Sequence, residues 1–470
     1  MKHRVKVVML SKLQPKDIEH FIGIEGYATR SEGVGGMIKE RPDDFMVWEV
    51  LKDGSDARAM FETSLSNKMY GKFLLYVLHK VDVDTISAIS LISKMLGVKQ
   101  KDVGVCGIKD RRACSWQFIT VPNDNLLTLN DVVQIADRIL LRRVSMRNSK
   151  ISSADLYRNM FEIKISRLRF DGHSAADLIE RTVNELKLKG APNFFGHQRF
   201  GACRPITHVI GKLIIKGMLK EAVEEFITGW TWFEPRVVRE ARMRLAESWN
   251  PEDALKNLPK HLLYERAMAE YLAKNAHDYT GALRRLPLRL RRLFVEAYSA
   301  YIFNRCLSRL LEKNSDLLVP NTGDLVVELD VHGSPTRKPF LLRHGALSRA
   351  LSLARAGRLS VLLPVPGYRI KLPNNEKGEF LEEILEEEGV GLEDFTSKAL
   401  PEAATAGSYR PIAIPSWEFK TSDIGDDHVW VRLSLPSGCY ATSLLRELMK
   451  PESALCFEGY SDKYSGLSLN

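Results

Sequence analysis

Cysteine is sparse and unpatterned in this chain. The six cysteines, Cys106, Cys114, Cys203, Cys306, Cys439 and Cys456, include no pair at CxxC spacing. That argues against a zinc site and against a disulfide framework. Long apolar runs are missing too, since no segment approaches the uninterrupted length of a membrane span. The basic opening, Met1 to Leu10, has no apolar core and no small-residue cleavage site. Internal repeats and low-complexity tracts are absent. These gaps predict a cytoplasmic protein with no membrane partner and no bound metal.

What remains is the make-up of a globular protein, 44% hydrophobic and 27% charged over 470 residues. The length suits two or three domains, or one domain carrying a large insertion. A formal net charge of +9 favours a polyanionic partner such as RNA, DNA or anionic lipid. A basic enzyme without nucleic acid is the plain alternative.

Periodicity divides the chain. Phe45 to Val50 and Lys72 to Lys80 read as strands, the second richer in apolar residues and more central. Asp84 or Thr85 caps a helix over Ile86 to Leu96 that Gly97 closes. Val103 to Cys106, Ser115 to Val121 and the alternation Phe161, Ile163, Ile165 add further strands. From about Leu219 to Lys398 helical signals dominate, among them a cap at Asn250-Pro251 and an acidic helix, Glu379 to Glu388, ended by Gly389. Strand character returns in Val429 to Leu435. The prediction is an α+β fold in which a mostly antiparallel sheet with helices on one face is interrupted by a helix-rich insertion.

Three signals could carry chemistry. Gly107-Ile108-Lys109-Asp110-Arg111-Arg112-Ala113 sets one carboxylate among three cations on a turn between strands. With an intrinsic pKa of about 3.9, Asp110 is ionised at neutral pH, a poor base but a competent nucleophile at an anomeric carbon. A solvated ion pair explains the same residues. Asn193-Phe194-Phe195-Gly196-His197-Gln198-Arg199-Phe200-Gly201 offers rings that can stack a base and amides that can read its edge, or a turn with its phenylalanines in the core. His197 has no plausible metal set beside it. Two basic clusters, Arg284 to Arg292 and Arg142 to Lys150, suit phosphates or simply face solvent, with Tyr298 and Tyr301 adding a stacking surface near the first.

In their order along the chain these stretches closely resemble the TruD family of pseudouridine synthases. Gly107 to Ala113 with Gln117 is similar to the family's GxKD(R/K)xA…Q signature, and Asn193 to Gly201 to its N(Y/F)FGxQRFG motif. The likeness includes Gly35 to Phe45, Glu296 to Arg305, Leu363 to Tyr368 and Leu435 to Thr442. It implies a discontinuous catalytic domain, 1–218 and 413–470, around an inserted TRUD domain, 219–412. It implies a tRNA substrate, uridine 13 as the target, and no cofactor. A monomer is expected.

By the same resemblance Asp110 is the catalytic aspartate and Lys39 lies near it. Asn193, Phe45 and Tyr440 contact the target nucleotide, and Phe195 stands at the active site. Lys39 and Arg111 are expected to orient Asp110 or bind phosphates. Two positions depart from the family: Ser115 stands where threonine is common, and Arg158-Asn159 replaces a usual Gly-Asn. Both are expected to bear on local packing alone.

Overall fold

The computed structural model describes residues 10–63, 70–123, 131–247, 249–331 and 333–459. The basic stretch 1–9 lies outside them. Ten strands form the larger sheet: β1 (Gly35–Met37), β2 (Phe45–Leu51), β3 (Phe73–Val81), β4 (Gly104–Val105), β5 (Cys114–Pro122), β6 (Val132–Ala136), β7 (Ile139–Arg147), β8 (Leu156–Leu168), β13 (Glu418–Ile424) and β14 (His428–Pro436). The four of the smaller sheet are β9 (Leu325–Glu328), β10 (Phe340–Leu341), β11 (Leu359–Val365) and β12 (Ser408–Pro411).

The larger sheet runs β13-β14-β8-β2-β5-β3-β7-β6, with β1 on β8 and β4 on β5. Central position explains composition: β3 and β5 are buried on both faces, β3 as a near-continuous apolar run and β5 with Ser115, Gln117 and Thr120 buried among its apolar residues. Pairing is antiparallel except between β2 and β5, which run parallel with Val47 opposite Ser115.

Three helices cover one face. Thr85–Leu96 begins at Asp84, whose carboxylate accepts from the Ser87 amide, and Gly97 ends it at φ 68°. Its Ala88, Ile92 and Leu96 pack on Tyr76, Leu78, Ile119 and Leu141. The helices Gly172–Lys189 and Ala441–Met449 pack Ile179, Leu186, Leu444 and Leu448 on Phe161, Ile163, Val431 and Leu433. Each such side chain contributes about 1.5–3 kcal/mol by leaving water. The expected one-sided arrangement is incomplete, because the short helix Ala57–Glu62 covers Trp48, Leu75, Val77 and Phe118 on the other face.

Between the two apolar patches on the helical face lies a buried polar strip, Glu49, Ser115 and Gln117. It sits over the parallel pair β2 and β5, and the 107–113 loop closes above it.

The second core gathers the helices between 207 and 312, Glu376–Glu388 and the sheet β10-β9-β11-β12. Its axis is the helix Leu288–Glu312, in which fourteen residues between Phe294 and Leu311 are buried while the first turn, Leu288 and Arg289, is exposed. Gly211 lets the helix Thr207–Ile215 come close, since a Cβ there would meet the Phe294 carbonyl oxygen at 2.0 Å. Phe194, Phe200, Ile210 and Leu213 belong to this core. On that ground we propose that the inserted unit begins near residue 194 rather than 219. After it, β14 pairs with β8 and completes the first sheet.

Candidate active site

The 107–113 loop is held from below by the polar strip. Glu49 is a carboxylate at an inward strand position and must find partners there. It takes Lys109 Nζ at 2.5 Å and the Phe118 amide at 2.8 Å. Thr85 Oγ1 accepts from the Lys109 amide at 3.0 Å and reaches Gln117 Oε1 at 3.0 Å, while Gln117 Nε2 donates to the Gly107 carbonyl at 3.3 Å. Lys109 is thus spent on the scaffold.

The cations that hold Asp110 come from elsewhere. Lys39 Nζ donates to Asp110 Oδ2 at 2.7 Å, and Lys80 Nζ donates to the Asp110 carbonyl at 2.8 Å. Lys39 is 1% exposed and Lys80 0%. Lys39 adopts φ 60°, a left-handed backbone that costs a non-glycine residue about 1–3 kcal/mol and persists only where the surroundings enforce it. Burial pushes the Asp110 carboxyl up, but the Lys39 charge, with hydrogen bonds from Lys39 and Gln198, leaves it below the usual range. Burial lowers the Lys80 ammonium to about 8, against the pull of Asp110. Of the loop's own cations, Arg112 donates to the Glu40 carbonyl and Arg111 is exposed.

Asp110 stands where two cavities meet. The smaller, about 240 Å³, is lined by Phe45, Val47, Leu156, Asn159, Phe161, Tyr440 and Thr442. The larger, about 680 Å³ and open, is lined by Lys39, Arg111, Arg112, Arg199, Leu293 and Glu458 among others. Phe45 meets the Phe161 ring edge-on and carries Lys39 Nζ 4.5 Å from its centroid. Tyr440 borders both cavities, and Gly196 leaves room for its ring, since a Cβ there would lie 2.8 Å from Tyr440 Cδ1. Among the described residues no group of three or more His, Cys, Asp or Glu is placed to hold a metal ion.

Five of the residues singled out in the sequence therefore meet: Lys39, Phe45, Asp110, Arg111 and Tyr440. Two stand back. Asn193 spends its amide on the Pro411 carbonyl (3.0 Å) and on Arg410, whose Nη2 donates to Asn193 Oδ1 at 2.6 Å. Phe195 lies behind Tyr440, 6.3 Å between centroids, and under the Arg410 guanidinium at 4.2 Å. Lys80, Glu49, Gln198 and Glu458 were not singled out. The first two had a legible signal, a charge inside an apolar strand. Asn159, assigned to packing alone, lines the smaller cavity.

The basic clusters are largely committed within the molecule. Arg284 and Arg291 pair with Glu402, and Arg292 donates to its carbonyl. Arg143 and Arg147 pair with Asp131 and Asp155, while Arg142 and Lys150 donate to the carbonyls of Thr63 and Lys101. Tyr298 is buried, and both it and Tyr301 donate to Glu388, so the expected stacking surface is core instead.

A family profile described as tRNA pseudouridine synthase D (TruD) matches residues 21–448. A protein named "Probable tRNA pseudouridine synthase D" from Methanosarcina barkeri is 33% identical over 448 residues, covering 93% of this chain and 98% of the relative. Its namesake from Thermococcus sibiricus is 34% identical, covering 92% and 99%. A crystal structure bearing the TruD name, from Methanosarcina mazei, superposes with a TM-score of 0.74 at 30% identity, over 95% of this chain and 100% of that one.

Proposed function

The chain belongs to the tRNA pseudouridine synthase D family, and we propose that it isomerises uridine 13 of tRNA with Asp110 as nucleophile. The observation that supports this reading is the place of Asp110, an ionised carboxylate fixed by Lys39 at the seam of a smaller, ring-lined cavity and a larger one.

The target uridine leaves its stack, which costs a few kcal/mol, and its base enters the smaller cavity. Phe45 and Tyr440 supply faces for the ring, while the sugar and its phosphates remain in the larger cavity near Arg111. Asp110 acts at the sugar as the bond from C1′ to N1 breaks, either by attacking C1′ or by assisting an elimination. The freed uracil turns, C5 bonds to C1′, the C5 proton passes to water, and N1 gains a proton. Electrons and atoms balance without a redox partner. One carboxylate suffices because the base is recaptured rather than released. The enclosing rings keep out the water that would hydrolyse a glycosyl intermediate. Asn193 and Phe195 support this arrangement from behind, through Arg410 and Tyr440. A cytoplasmic location accords with such an enzyme.

The test uses tRNA transcripts carrying tritium at uracil C5. Wild-type protein releases tritium to water, and Asp110→Asn, compared as folded protein, lowers the rate by at least about 10⁴-fold. Replacing uridine 13 by cytidine abolishes release. Equal release from both proteins would sink the nucleophile assignment. Binding without release would indicate a catalytically silent RNA-binding module, and free uracil a nucleoside hydrolase.

A further inference from the structure

We propose that Glu458 holds the ribose of the target nucleotide, a carboxyl oxygen accepting a hydrogen bond from the 2′-hydroxyl. The proposal rests on the function above and names what that site recognises in the sugar. Glu458 ends the short helix Ala454–Glu458, which is anchored beside the proposed nucleophile. The Ile38 amide donates to the Cys456 carbonyl at 3.0 Å, and the buried Phe457 stacks on the His197 ring, 5.3 Å between centroids. Gly459 then passes so close to Lys39 that a Cβ there would meet its carbonyl oxygen at 2.0 Å. This path sets Glu458 in the wall of the larger cavity, with Lys39 and Asp110.

Four acidic side chains line that cavity, and three are committed. Asp82 pairs with Arg138 at 2.9 Å, Asp84 accepts from the Ser87 amide at 2.8 Å, and Asp110 is held by Lys39. Glu458 Oε1 differs. It is closed off from solvent and has no hydrogen-bond partner among the described residues. Burial pushes the Glu458 carboxyl above the usual range against the pull of Lys39, and in either protonation state it keeps an acceptor lone pair. A buried acceptor left unpaired is costly, and most native ones are satisfied. An acceptor kept open here suits a ligand that brings a donor. With the base in the smaller cavity and Asp110 at C1′, the sugar and its phosphates fill the larger one. Inside an RNA chain the 3′ and 5′ oxygens are esterified, so the 2′-hydroxyl is the only donor that part of a nucleotide brings. It stands on the carbon next to C1′. Hydrogen bonds to a 2-hydroxyl strengthen as a neighbouring anomeric carbon reacts, and the same hydroxyl tells RNA from DNA.

The experiment measures single-turnover conversion of tRNA ligated from synthetic fragments, with uridine or 2′-deoxyuridine at the target. Wild type and Glu458→Ala are compared as folded protein. Deoxygenation also changes the intrinsic lability of the glycosidic bond, but equally in both proteins, so the two deoxy penalties are read as a ratio. On uridine, Glu458→Ala should be at least about tenfold slower than wild type. On 2′-deoxyuridine the two proteins should convert at the same rate, since the donor is already gone. Should neither convert it, the same cycle is read in dissociation constants, with the deoxy penalty expected in wild type alone. Glu458→Leu, similar in volume and without an acceptor, should behave as Glu458→Ala does and carries the comparison if the alanine protein does not fold. A wild-type rate on uridine in either variant would overturn the proposal. So would an equal slowing on both substrates, which would leave Glu458 a positioning residue acting through Lys39. If wild type forms no pseudouridine from the unmodified tRNA, the reaction itself is misassigned and this proposal falls with it.

Discussion

Two of the regions where this molecule buries charge make a contrast, and only one of the two opens onto the site cavities. In the inserted unit, Arg242 is 2% exposed and meets Glu234 at 3.2 Å, Glu265 at 2.7 Å and the carbonyls of Phe226 and Ile227. Arg204 joins the same carboxylates and donates to the carbonyls of Phe226 and Gly229. These charges pair among themselves and lock neighbouring helices. Under the 107–113 loop, Glu49 and Lys109 do the same. Above them, however, Asp110 stays 21% exposed while its partner Lys39 is 1% exposed. The difference separates scaffold from chemistry: a closed network fixes helices in place, whereas a half-covered carboxylate with a buried counter-ion can meet a substrate.

The largest consequence belongs to the open pair. Lys39→Met should cut single-turnover conversion about 10³-fold, some 4 kcal/mol of barrier, with a smaller change in unfolding free energy. A loss confined to stability would place Lys39 with the scaffold. Arg242→Met should do the reverse, costing about 3–5 kcal/mol of stability in denaturant titrations while folded protein converts at the wild-type rate. A specific rate defect in that variant would erase the contrast.

Lys80 gives a pH-dependent effect. Its ammonium is lowered to about 8 from an ordinary 10.5, so between those values the unfolded chain binds the extra proton. Stability contributed by Lys80 therefore rises with pH across that window, by up to roughly 3 kcal/mol. Measured against Lys80→Met, wild type should gain stability from pH 8 to 10.5, and parallel curves would refute the shift. The smallest effect is expected at the surface, where Arg284→Gln should change stability by under about 1 kcal/mol and leave conversion intact.

Much of the fold could be read from the chain. The Asp84 cap, the Gly97 stop and the acidic helix before Gly389 are local signals and appear where the residues predict. Asp110 was legible for a similar reason, since a carboxylate on a short turn between two strands is written in contiguous residues. What could not be read is which cation reaches it. Neighbours in sequence, Lys109 and Arg112, turn to Glu49 and Glu40, while Lys39 arrives from 71 residues away. Strand order and register decide such contacts.

The two asparagines show the same limit. The motif around Asn193 drew attention to its amide, yet the backbone of β12 and Arg410 consume that amide. Asn159 stands in a dipeptide compared with the family's Gly-Asn, yet only the pairing of β8 with β2 and β14 brings it to the cavity. By itself, the sequence determined the elements, the family blocks and the catalytic loop, because capping, periodicity and turn chemistry act over a few residues. The tertiary structure alone decided which charges close on one another and which of them borders a cavity. Those outcomes depend on desolvation and on contacts between strands far apart in the chain.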